Sequence, residues 1–463
     1  MTIARSEPMD AESRLSRWVA GLTLAAVPEP VLAVARACMA DGIGVMLAGS
    51  ATAVFRQCET IPRYAGRCRL ADGSGTADAR SAALLNGAAG HALDFDDTCY
   101  AGIVHGTAAV LPAVLAVAQE IDADGARLLE AFVSGVEIEY ALGLALTESI
   151  YERGHWTTAT LGVIGAAAGC AKLLGLDAES TAQAIRLAAN MPLGLRITHG
   201  TSGKPYLCGI AARLGVDAAY AAQAGLAGQA GTFEKPRGYA ETLNGGTFRA
   251  DVIDTLGTRY ALLDPGVAFK LRPMCSATQA AVEAVIVLRE HHEWTPDQVE
   301  SVLCHGTPLV VSCLPYRAPT KPSEAQFSMP FSIACTLLHG DVRVEHLNEA
   351  TLADPALRQL MQRIELRADA MLVPPHEASA CPEAARVTIT LTGGRQLSHT
   401  VLAATGMPQK PASTSALREK FMACAASALS PDHARAVWQR LQRVEHEPSS
   451  SMLLERPTRA GGT

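Results

Sequence analysis

The chain has no cysteine pair of the kind that binds metal. Its twelve cysteines are spread over 463 residues, and the two nearest, Cys304 and Cys313, stand nine positions apart. Without a CxxC there is no zinc ribbon and none of the usual iron–sulfur spacings. Thiols scattered through apolar segments read as reduced core residues of a cytoplasmic protein. Positive charge is also scarce. Lys and Arg total 39 against 46 Asp and Glu, for a net charge of −7. That gives a nucleic-acid partner no electrostatic support, so none is expected. An anionic ligand must be held by local cations, not by the overall field. The longest apolar run, residues 161–171, is too short to cross a bilayer, so no membrane partner is expected. Residues 1–13 lack the basic-then-apolar pattern of a secretory signal. No repeat or low-complexity block is present. Nor is there a phosphate loop: before Gly203-Lys204, Thr198 stands where the first Gly belongs, and Pro205 replaces the Ser or Thr that would hold Mg²⁺.

Apolar residues make up 49% and charged residues 18%, which excludes a disordered chain. Aromatics are only 5%, and the abundance of Ala and Gly favours closely packed helices. The length is too great for one ordinary core. The fold class expected is mainly α: a large all-α domain over residues 1–265 and a smaller α+β lid over 266–403. Residues 404–445 read as helices returning to the first domain, and 446–463 as a disordered tail. Helical patterning covers 14–48, 80–96, 108–120, 126–147, 161–174, 180–189 and 207–225. In the lid, 299–304, 309–313, 364–367, 386–391 and 397–402 read as strands, the last two joined by the hairpin signal Gly393-Gly394. Helices are expected at 276–290, 328–338 and 355–363.

The densest chemistry lies in Gly90-His91-Ala92-Leu93-Asp94-Phe95-Asp96-Asp97-Thr98, with His105 just downstream. On a helix His91, Asp94 and Thr98 fall at i, i+3 and i+7 and share a face, while Asp96 and Asp97 point elsewhere. Carboxylates in an apolar neighbourhood need partners, which makes the cluster a candidate for acid–base work. A solvated helix end is the plain alternative. Asp and His here could also bind Mg²⁺ or Zn²⁺, but no second HxxxH or DxD set completes a shell, so no metal is expected. Lys204 follows a Gly-rich turn whose N–H groups and ammonium suit a carboxylate. Lys270 and Arg272 sit at the domain junction, where ligands often bind, and alternate so that an extended segment aims both to one side.

These stretches, with four others in order, resemble the MmgE/PrpD family. After Asn86-Gly87-Ala88-Ala89 and the Asp-rich segment come Glu152-Arg153-Gly154-His155-Trp156-Thr157-Thr158, then Gly203-Lys204-Pro205, then Phe269-Lys270 with Pro273 and Cys275, then Ala325-Gln326-Phe327-Ser328-Met329-Pro330-Phe331. The resemblance runs from about residue 15 to about 440. It implies the same helical domain with an α+β lid, a homodimer, and chemistry without an organic cofactor on a small polycarboxylate. It carries a catalytic His onto His105 and lysines onto Lys204 and Lys270. The expected site is therefore His105, Asp94, His155 and Lys204 for catalysis, with Thr98, Lys204, Lys270 and Arg272 holding substrate. The chain departs from the family pattern at four places. Trp156 stands at the family His, with His155 beside it. Phe331 stands where decarboxylase relatives carry Tyr. Gly106 follows His105 in place of Pro, and Cys99-Tyr100 replace a Trp. The departures at 156 and 331 remove two acids, which favours an iminodisuccinate-type epimerase. A 2-methylcitrate-type dehydratase and a cis-aconitate-type decarboxylase are the alternatives. A non-catalytic relative that binds a small anion is the alternative of another class.

Overall fold

The computed structural model describes residues 9–146, 149–191 and 194–454. Long helices, Glu29–Gly49, Ala79–His91, Gly106–Glu120, Gly125–Leu146, Thr157–Leu173 and Gly203–Gln223, form the larger body. Their Ala and Gly content lets backbones approach closely. At the crossing of Ala79–His91 with Gly203–Gln223, a Cβ on Gly87 would come within 2.9 Å of the Gly209 Cα. One continuous apolar core fills this body, and it recruits Phe421, Trp438, Leu441 and Leu453 from the far end of the sequence. They come from the helices Thr414–Ala425 and Pro431–Leu441, with a short turn at Ser450–Leu453.

A second apolar core is built from residues between Ala268 and Met407, joined by Tyr151 of the helical body. It lies in a four-stranded sheet with helices packed on it. Val299–Gly306 pairs in parallel with Ile364–Ala368 and antiparallel with Ala385–Leu391, which pairs in turn with Gln396–Val401. Gly393 and Gly394 have φ of +93° and +82°, as the tight hairpin between the last two strands requires. The helices Gln279–His291, Met329–His339 and Pro355–Met361 complete the layer. The architecture is mainly helical with a smaller α+β unit.

Five local expectations change. Residues 309–313 form a helix, Pro308–Cys313, not a strand, because Thr307 caps it through the Val310 N–H and Pro308 opens its first turn. The helix expected to run to 96 stops at His91. The helix expected from 207 begins at Gly203, so Lys204 lies in its first turn instead of in a loop. The sequence marks 161–171 as the longest apolar stretch, too short to cross a membrane; Glu29–Gly49 is the one helix among the described residues long and apolar enough to do so, and most of it is buried in the core. The expected disordered tail is ordered at its start: Gly125 donates to the Glu447 carbonyl and Ser450 to the Ala123 carbonyl. Residues 455–463 lie outside the described residues, as do residues 1–8 of the N-terminal stretch.

Candidate active site

After His91 the chain leaves the helix, and Asp94 takes φ of +47°, a left-handed conformation that a short polar side chain tolerates. This turn folds the Asp-rich segment back on itself, so Asp94 and Asp96 both face inward. Asp96 therefore does not point away as a continuous helix would have it. Its carboxylate lies 2.9 Å from His91 Nδ1 and 3.0 Å from His105 Nδ1, and all three are buried or nearly so. His105 caps the helix Gly106–Glu120, and its backbone N–H donates to the Thr158 hydroxyl. Its Nδ1 also meets the Asp97 carbonyl at 2.9 Å and the Thr98 hydroxyl at 3.3 Å. With Nδ1 engaged, Nε2 is the nitrogen left to meet a ligand.

Lys204 Nζ lies 2.6 Å from Asp94 Oδ1 and 2.5 Å from His91 Nε2, and 5.0 Å from each of the Trp156 and Phe327 rings. An ammonium has only donors, so His91 accepts at Nε2 and carries its proton on Nδ1 toward Asp96. Lys270 Nζ donates to the Asp94 main-chain carbonyl at 2.5 Å and lies 3.4 Å from its carboxylate. From behind, Lys420 donates to the Phe95 carbonyl at 2.7 Å, pairs with Asp41 at 2.6 Å and lies 4.0 Å from the centre of the Phe95 ring.

The charges follow from these partners. Burial works to raise the Asp94 carboxyl, but Lys204 and Lys270 outweigh it and hold it well below the carboxylate range. Burial likewise opposes ionisation of Asp96, and the two imidazoles outweigh it. Asp97 goes the other way: burial and repulsion from Asp41 push it up to about 7. Burial lowers His91 to about 4 despite Asp96, and burial also lowers His105, with Asp96 opposing. Burial lowers Lys270 as well, but Asp94 and Asp96 reverse this and raise it.

The pocket above this floor is lined by Asp94, Thr98, His105 and Lys204, as the sequence led us to expect, by Trp156 and Phe327 from the family-like motifs, and by His199 and Glu383, which the sequence did not flag. The ring of His199 stacks on Phe327 at 5.2 Å, and its Nε2 is buried without a hydrogen-bond partner. Three expected residues do not line this pocket. His155 is not in the wall; its neighbour Trp156 is, because the bridge between His155 and Leu195 holds 155 at the edge. Arg272 is committed to Asp341 at 2.6 Å, so it does not join Lys270 on one side. Lys270 sits behind Asp94 and reaches the pocket through it. Phe331 is fully buried in the lid core, so a hydroxyl missing there leaves the pocket unchanged. Gly106 has a local cause: a Cβ there would meet the Tyr140 hydroxyl at 2.5 Å.

The ligating atoms of His91, Asp96 and His105 lie within 4.8 Å of one another, close enough for a metal. The donor set fits one poorly. Each imidazole Nδ1 already bonds Asp96, and the Lys204 ammonium occupies the other nitrogen of His91.

Fold and site together define a two-domain, mainly helical enzyme with an imidazole and an ammonium facing one pocket. The chain belongs to the MmgE/PrpD family: the N-terminal domain of that family matches residues 13–251 and its C-terminal domain residues 273–445. It is 26% identical to cis-aconitate decarboxylase of Homo sapiens over 452 residues, covering 94% of this chain and 91% of that one. The Mus musculus protein of the same name is 26% identical, with 89% and 86% covered. A cis-aconitate decarboxylase-like protein, oryM, of Aspergillus oryzae is 25% identical, with 96% and 95% covered.

Proposed function

We propose that this chain is a lyase acting on a small tricarboxylate, and that its reaction is decarboxylation of a cis-aconitate-type substrate. The observation that carries this reading is His105, held at Nδ1 by Asp96 with Nε2 left toward a pocket whose facing cation is Lys204. The chemistry requires two things of the protein. A carboxylate must be anchored, and a proton must reach the carbon beside it. In a cis-aconitate skeleton, CO₂ leaves the saturated carbon and its bonding pair forms the new double bond. The old double bond opens, and its far carbon takes one proton. His105 supplies that proton from Nε2, and Asp96 steadies the charge on the ring. Lys204 holds a carboxylate of the substrate, where developing negative charge is stabilised by a fixed cation. Asp94 aims Lys204, and Lys270 keeps Asp94 ionised. Thr98 fixes the face of the His105 ring.

The two absences that favoured epimerisation carry less weight here. Phe331 lies outside the pocket, and Trp156 closes the wall where an imidazole was sought. The named relatives add weight to the lyase reading. Dehydration of a 2-methylcitrate-type substrate uses the same His105 and Lys204, and it separates from decarboxylation by product. Incubation in D₂O with cis-aconitate, 2-methylcitrate and iminodisuccinate, followed by NMR, tests all three. The expected outcome is CO₂ release from cis-aconitate with one deuterium at the protonated carbon. Loss of water or stereochemical exchange from another substrate, with cis-aconitate unchanged, would overturn it.

A further inference from the structure

The lid places one carboxyl group in the pocket that the mechanism above does not use. Glu383 stands just before the strand Ala385–Leu391 and is buried against the pocket. Each of its oxygens is claimed by a different hydroxyl. Ser276 donates to Oε1 at 2.7 Å and Tyr100 to Oε2 at 2.6 Å. Tyr100 comes from the helical body and Ser276 from the lid, so the clasp spans the two units. Tyr100 is also one of the residues that depart from the family pattern.

We infer that Glu383 is a neutral acid that donates a hydrogen bond to one carboxylate of the substrate, making it a third anchor beside Lys204. This rests on the tricarboxylate reading above. The charge balance argues for it. With both imidazoles neutral before a ligand enters, as burial disposes them, Lys204 and Lys270 are matched by Asp94 and Asp96, so an ionised Glu383 would leave the pocket net negative toward an incoming polyanion. The hydrogen-bond inventory allows it. Each oxygen accepts one hydroxyl, and a protonated carboxyl still has its own O–H to aim into the cavity. The groups facing Glu383 are Tyr100, Cys275, Ser276, Cys313, Lys270 and Asp94. Burial is the largest influence on the group and raises it, with repulsion from Asp94 adding to this; the two hydroxyls and Lys270 oppose. As pH climbs through its titration the carboxyl ionises and repels the ligand, so affinity falls with rising pH.

Two measurements on the full chain decide the matter. The first needs no ligand: the infrared difference between wild type and Glu383→Gln near neutral pH should contain a protonated-carboxyl C=O band. The second is calorimetric titration with propane-1,2,3-tricarboxylate, which cannot react, at several pH values. Wild-type affinity should weaken as pH rises, while Glu383→Gln, neutral throughout, should hold its affinity across the same window. Glu383→Ala should bind on the order of tenfold more weakly or worse near neutrality, the loss expected for one hydrogen bond to a charged group. Absence of the band overturns the neutral state, and wild-type affinity in Glu383→Ala overturns the contact. A wild-type chain that binds no tricarboxylate overturns the functional reading and the ligand assigned to Glu383 together, whereas the infrared result stands independently of it.

Discussion

Replacing Asp96 by Asn tests the floor of the pocket most directly. Asp96 is fully enclosed and holds His91 and His105 at 2.9 and 3.0 Å. Asn keeps the size and one acceptor oxygen but removes the charge, so one imidazole keeps a neutral bond and the other faces an amide N–H. A hydrogen bond to a charged group contributes about 1.5–3 kcal/mol. To donate from Nε2 His105 must carry a proton on both nitrogens, and removing Asp96 disfavours that charged ring by this amount, so near neutrality kcat should fall roughly 10- to 150-fold. The pH profile should move as well. Asp96 opposes the lowering of His105 by burial, so without it the ring sheds its proton at lower pH, and the fall in rate on the alkaline side shifts toward acid. Asp97→Asn is the control. Asp97 is pushed up to about 7, so near neutrality it is only about half ionised, and its carboxylate accepts from the Thr107 hydroxyl instead of holding an imidazole; kcat should change by a few-fold at most. Circular dichroism would confirm that both variants are folded before their pH–rate profiles are compared. An Asp96→Asn enzyme with wild-type kcat and an unmoved profile would refute the reasoning.

Lys204→Ala should raise KM steeply, since removing a buried cation that faces an anion costs roughly 2–5 kcal/mol; near-normal KM would return Lys204 to a purely structural place. His91 should make the fold sensitive to acid. Its folded value of about 4 lies below the unfolded value of 6.5, so its stability contribution is full above about pH 6.5 and shrinks as pH falls toward 4. The loss is at most about 3 kcal/mol, readable by urea unfolding at several pH values. Gly106→Ala should destabilise by about 1–3 kcal/mol through collision with Tyr140, and a second change, Tyr140→Leu, should recover much of it in thermal melts. Dialysis against EDTA should leave the rate unchanged; a loss restored by one divalent metal alone would show that the trio His91, Asp96 and His105 had been misread.

What could be read from the sequence is what periodicity and helix punctuation control. The apolar spacing of the body and the Gly393-Gly394 hairpin follow from local rules; the hairpin strands appear within a residue of expectation, and the body helices are in place with ends up to five residues off. The run Leu309-Val310-Val311-Ser312-Cys313 misled because its β-branched residues suggest a strand, while Thr307 and Pro308 just before it set up a helix start that prevails. At the site, Asp94 and Thr98 are legible in the clustered polar segment itself, while His105 and Lys204 take their weight from the family pattern. Asp96 was set aside because helical phase was carried past His91, and a single left-handed residue at Asp94 cancels that phase. Glu383 and His199 gave no signal, since a lone Glu or His in a loop gains meaning only from what folding places opposite it. Arg272 and His155 show the converse: the right residue type beside a motif, claimed elsewhere by Asp341 or held at the edge by the Leu195 bridge.

Lys420 has a consequence for how the enzyme comes into being. It grips the loop between Asp94 and Asp97 from a helix more than 320 positions downstream, and the same helix supplies Phe421 to the core of the body. During synthesis, the first 250 residues leave the ribosome with the loop's outer support still unmade. The N-terminal portion therefore resembles an arch awaiting its keystone: it can collapse and form helices, but the geometry at His91 and Asp96 sets only once residues 414–441 have emerged and docked. A nascent or prematurely terminated chain would accordingly be compact yet silent, and separately expressed halves would need to find each other before either showed chemistry.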